Sequence, residues 1–139
     1  WNILNMFGML LGALVSSMVI KRYQSKKILI LSVCAVIFMC FVLAVLTISN
    51  ILNVLLFFTI TSFIYFICCF IFPTASHIAS NSIDCKANAS GAMNFINMGV
   101  ASLSVILLGY LPLSPLWGFI IILSLFSMFC LALLLVVKD

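Results

Sequence analysis

The chain has 139 residues, of which 67% are apolar and only 6% charged; six basic and two acidic side chains leave a net charge of +4. An ordinary soluble chain is about 25% charged, so this one lacks the material for a polar shell and a water-soluble domain is excluded. Nucleic acid is excluded as a partner too, because the basic residues sit in short segments beside apolar runs, where membrane topology accounts for them.

What remains is an all-α polytopic membrane protein, with the lipid bilayer as its first partner. Barrel strands would alternate apolar and polar residues, and Ile28-Leu29-Ile30-Leu31 or Leu131-Ala132-Leu133-Leu134-Leu135 does not. Lipid leaves open backbone groups unsatisfied, so the spans are expected to be helices. Five are predicted, in one transmembrane domain over residues 1–139.

Residues 1–20 form the first, entering from outside. Gly8, Gly12 and Ser16 recur every fourth residue, which puts small side chains on one face; they are the expected helix-packing positions, since small residues let backbones approach closely in lipid. Asn5 lies one turn before Gly8 on roughly that face. The span ends at Lys21-Arg22-Tyr23-Gln24-Ser25-Lys26-Lys27, which holds four of the six basic residues. Lys21, Arg22, Lys26 and Lys27 are the topology-setting group. No formal charge follows in residues 28–83, nor in residues 87–137. Each run is about twice the ~20 residues of a spanning helix. Two hairpins would therefore return every charge to one side, the cytoplasm by the bias of Lys and Arg. Residues 21–27, 79–90 and the C-terminus are then cytoplasmic.

The second span, residues 28–48, is nearly featureless. Ser49, Asn50 and Asn53 supply an uncharged outer turn. The third, residues 52–78, returns inward with more polar content. Its Thr61, Tyr65, Cys68 and Phe72 make a seam that suits an amphipathic substrate and core packing equally. Pro73 is expected to bend or end this helix. His77 follows one turn later and is a candidate for the inner mouth of a pathway, as a protonation switch or polar contact; the plainer reading is an interfacial histidine with its polar edge in water. Residues 79–90 read as a polar loop.

The fourth span, residues 91–111, runs outward, and the fifth, residues 117–137, returns after a turn bracketed by Pro112 and Pro115. Trp1, Tyr110 and Trp117 all fall at the outer interface, where such rings settle. Ser90, Asn94, Asn97, Ala101, Ser104 and Leu108 follow steps of four and three, so they form one seam. An unpaired amide is costly at this depth, so Asn94 and Asn97 are expected to face protein or a water-filled cavity. Interhelical hydrogen bonding and the lining of a substrate path both fit.

Nothing here supports an enzyme. No span contains an acid, and no phosphate-binding glycine loop or Ser/His/Asp arrangement occurs. Five of the six cysteines fall in spans and Cys85 in a loop; without CxxC or Cys/His spacing they read as packing residues, and no metal or cofactor is expected. A chain that opens at Trp1 inside an apolar segment, with five spans and an outside start, reads as a piece of a larger bundle.

Three stretches carry a resemblance. Asn5-Met6-Phe7-Gly8-Met9-Leu10-Leu11-Gly12 with the basic segment after it, Phe72-Pro73-Thr74-Ala75, and Ala89-Ser90-Gly91-Ala92-Met93-Asn94-Phe95-Ile96-Asn97 resemble helix eight with its loop, the end of helix ten and the start of helix eleven in a major facilitator superfamily transporter. Gln24 stands where that loop usually has Gly, and Asn94 and Asn97 where Gly and Gln are more common. The whole chain resembles the C-terminal half of such a protein, helices eight to twelve, most nearly in the bicyclomycin/chloramphenicol-resistance branch of drug:proton antiporters. The resemblance implies part of a secondary active exporter of amphipathic small molecules in the bacterial inner membrane, lacking the N-terminal half and one further helix. It would work by rocking against that missing half around a midplane site. Asn5, Tyr65, Asn94 and Asn97 are the substrate-path candidates. The acidic coupling residues of the family lie mainly in the N-terminal half, so this chain alone is expected not to transport. A major facilitator of another solute is one alternative; a non-transporting membrane subunit, or the remnant of a split transporter gene, is another.

Overall fold

The computed structural model describes residues 2–20, 24–82, 86–110, 112 and 114–136. They form five helices: α1 (Asn2–Val19), α2 (Ser25–Ile48), α3 (Val54–Ser82), α4 (Lys86–Tyr110) and α5 (Pro115–Val136). All five are long and apolar enough to cross a membrane. The protein is a multi-pass helical membrane protein.

The turn between α2 and α3 shows how local chemistry sets the register of a hairpin. The Asn50 N–H donates to the Thr47 carbonyl at 3.2 Å and the Ile51 N–H to the Leu46 carbonyl at 3.3 Å. This pair of bonds closes the helix end as a Schellman motif, which needs a residue in the left-handed region. Asn50 supplies it at φ 54°, a conformation Asn tolerates better than other non-glycine residues. The chain then re-enters helix at once, with the Asn53 carbonyl accepting from the Phe57 N–H at 2.9 Å. At the α4–α5 turn, Pro115 opens α5, where a missing N–H costs nothing, and the Ser114 carbonyl accepts from the Gly118 N–H at 3.0 Å.

At the opposite ends of the helices the structure departs from the sequence reading. Lys26 and Lys27 belong to the first turn of α2 instead of a loop. The stretch read as a polar loop, residues 79–90, is helical on both sides: α3 continues to Ser82 and α4 starts at Lys86. A helix bonds its own backbone and keeps going past the lipid edge, whereas hydropathy marks only the edge. Pro73 lies inside α3 and does not end it. Thr74 beside it is fully buried and donates its hydroxyl back to the Phe70 carbonyl of its own helix.

α3 is the hub, packing against α1, α2 and α4, while α2 also packs against α5 and α4 touches α5. α1 and α2 are neighbours in sequence but make no contact among the described residues. The best-buried helix is α2, a third of whose spanning window is covered. Leu29, Val33, Val36, Cys40 and Leu43, at steps of four and three, form its inner face.

Candidate functional site

Two features of the bundle gather polar groups within the spans. The first is the seam between α1 and α3. Gly8, Gly12 and Ser16 are the buried residues of α1. A Cβ on Gly8 would lie 2.5 Å from the Ser62 carbonyl oxygen, and one on Gly12 would lie 2.6 Å from the Phe66 carbonyl oxygen. Only glycine allows this approach, and the approach brings three side-chain bonds into reach. The Thr61 hydroxyl lies 3.1 Å from Asn5 Oδ1 and, on its own helix, 3.0 Å from the Phe57 and 3.2 Å from the Phe58 carbonyl, so its one proton is shared among these acceptors. Ser62 Oγ donates to the Leu4 carbonyl at 2.8 Å, and Cys69 Sγ meets the Met9 carbonyl at 3.4 Å. Asn5 is thus half-buried and paired, and Thr61 is buried against it. Tyr65 and Phe72, from the same predicted seam as Thr61, are exposed.

The second feature is a cleft of about 610 Å³ where α1 and α2 both lean on α3 without meeting. Ile67 and Phe70 of α3 form its floor, with Val19 of α1 on one wall and Ile28, Leu31 and Ala35 of α2 on the other. Its polar lining is Gln24 at the N-cap of α2 with Lys27 and Ser32 of α2 itself. Close by, Ser25 Oγ and His77 Nδ1 are 3.2 Å apart, which ties the start of α2 to the C-terminal part of α3. His77 itself is exposed. Lys26 is half-buried and Lys27 exposed, while Lys21 and Arg22 lie outside the described residues.

Asn94 and Asn97 stand elsewhere, on α4. Both are exposed, and no residue of that helix's spanning window is buried. Among the described residues no helix buries them. Of the four substrate-path candidates, the structure joins Asn5 to the α1–α3 seam, sets Tyr65 on α3 one turn from Asn5's partner, and leaves the α4 amides open. The sequence reading did not anticipate the cleft: Lys27 had a sufficient explanation in topology, and Ser32 sits in the span that showed no pattern. Among the described residues no group of His, Cys, Asp or Glu could hold a metal.

Comparison of the chain with models of protein families, with curated proteins and with solved structures gives no match.

Proposed function

We propose that this chain is part of a secondary active transporter, a proton-coupled exporter of amphipathic small molecules of the major facilitator kind it resembles, in the bacterial inner membrane with its basic ends in the cytoplasm. The observation that carries the reading is α4. Asn97 lies seven residues into the window Ser90–Tyr110, about 10 Å from its start at 1.5 Å per residue. An amide at that depth facing hydrocarbon is unfavourable by several kcal/mol when unpaired, yet Asn94 and Asn97 are both exposed. A water-filled path shared with a second helical half removes that cost. It also gives an amphipathic solute hydrogen-bonding partners beside apolar ones such as Phe95 and Met98, which are exposed on the same helix.

The test is transport in everted membrane vesicles. A longer polypeptide carrying this chain together with an N-terminal half is expected to accumulate a lipophilic cation such as ethidium when a proton gradient is imposed. An uncoupler should abolish the uptake, and the chain alone should be silent. Gradient-driven uptake by the chain alone, or none by the longer polypeptide, would overturn the reading.

A further inference from the structure

The cleft between α1, α2 and α3 is ordered along its length in a way that topology alone does not require. At its mouth is Lys27, exposed, in the first turn of α2. That turn has no acidic residue, and Gln24 at its N-cap provides no side-chain cap. A lysine at the positive end of a helix dipole has the wrong sign for the helix's own stability; an anion placed there offsets both charges. About 7–8 Å deeper, at 1.5 Å per residue, comes Ser32. It is only 8% exposed, it lines the cleft, and its hydroxyl makes no hydrogen bond among the described residues. Several span hydroxyls turn back onto their own helix, as Ser16 does to Ala13, Thr47 to Leu43 and Ser124 to Ile120. No buried side-chain oxygen or nitrogen among the described residues lacks a partner, so the Ser32 hydroxyl is one that opens onto the cleft, where a ligand can accept from it. The rest of the lining is apolar, with Ile67 and Phe70 as the floor. α1 and α2 do not touch, so the cleft opens sideways, toward lipid.

Cation, hydroxyl donor and apolar trough follow one another in the depth order of phosphate, ester carbonyl and acyl chain. We propose that this cleft is a binding site for an anionic diacyl phospholipid of the surrounding leaflet, its phosphate at Lys27, an ester carbonyl accepting from the Ser32 hydroxyl, and one acyl chain lying along Ile67 and Phe70. Basic pockets between spanning helices hold lipid headgroups by this combination of charge and shelter.

The test uses the purified protein in detergent, with native mass spectrometry counting retained lipid and thermal unfolding reporting stabilisation. Phosphatidylglycerol should be retained over phosphatidylcholine of the same chains. Lys27→Gln should reduce that preference about fivefold, the worth of one lysine at an anionic surface, without lowering stability in phosphatidylcholine. Ser32→Ala should erase the advantage of a diester lipid over its diether analogue, which lacks the carbonyl. Ala35→Phe, which fills the trough, should abolish retention of both headgroups while helicity is unchanged. Equal retention of the two headgroups, the same preference in Lys27→Gln, or binding of soluble glycerol phosphate as tight as that of the lipid would each overturn the site.

Discussion

Replacing Gly12 with alanine tests the packing of α1 on α3 with one methyl group. The added Cβ would lie 2.6 Å from the Phe66 carbonyl oxygen, 2.9 Å from Cys69 Cβ and 3.1 Å from Phe66 Cα. Two of these are backbone atoms and cannot swing aside, so the helices must part. Ordinary contact begins near 3.4 Å, which asks for a separation of about 0.8 Å, enough to forfeit a quarter to a half of each dispersion contact along the seam. The same movement stretches the Ser62–Leu4 bond from 2.8 Å and the Thr61–Asn5 bond from 3.1 Å past useful range. Interhelical bonds in lipid average about 0.6 kcal/mol each and overpacking costs about 1–3 kcal/mol. Gly12→Ala is therefore expected to destabilise by about 2–4 kcal/mol. The assay is unfolding of the purified protein by titrating denaturing detergent into micelles, followed by circular dichroism. Gly91→Ala and Gly99→Ala are built-in controls, because a Cβ at either position meets nothing within 4 Å. Each should be neutral or stabilise by up to about 1 kcal/mol through helix propensity. If Gly12→Ala unfolds within about 0.5 kcal/mol of the parent, or if all three substitutions behave alike, the close approach described for the seam is wrong.

Asn97→Leu, in the longer polypeptide assayed for transport, should alter the range of solutes carried more than the amount of protein in the membrane; equal loss of both would assign Asn97 to packing. In a background with the native cysteines replaced by alanine, Ser25→Cys in intact cells should resist a membrane-impermeant maleimide while Asn50→Cys reacts, and the reverse pattern would invert the topology. Asn50→Gly should leave stability unchanged or slightly higher, whereas Asn50→Val should cost about 1–2 kcal/mol for a β-branched residue at positive φ, measured in the same unfolding assay.

The sequence marked the places where lipid gives way to water and the places where backbones must touch. Charge spacing divided the chain into spans, Asn50 and Pro115 announced the turns, and the Gly8-Gly12-Ser16 repeat lies on the buried face of α1. It could not show which face of α2 is inside. Leu29 is 5% exposed and Leu31 72% exposed, yet they are the same residue two positions apart, because lipid and protein interior are equally hospitable to leucine. The cleft was hidden for a different reason. Its lining comes from residues as distant as Val19 and Phe70, and it exists only because α1 and α2 lean on α3 without meeting. The amides of α4 were visible as a seam, but a period of four and three says which residues share a face and not what stands opposite.

The dependence of α1 on α3 alone has a consequence for biogenesis. α1 and α2 are synthesised before α3, and among the described residues the two make no contact with each other. Asn5 must wait for Thr61, 56 residues later in the chain, about 3–11 s at ordinary rates of synthesis. Until then its amide rides in the membrane without the hydroxyl that will meet it, so α1 is a natural client for an insertase that shelters polar spans. α1, α2 and α3 would leave such a shelter as one unit, locked when the glycines of α1 close onto α3.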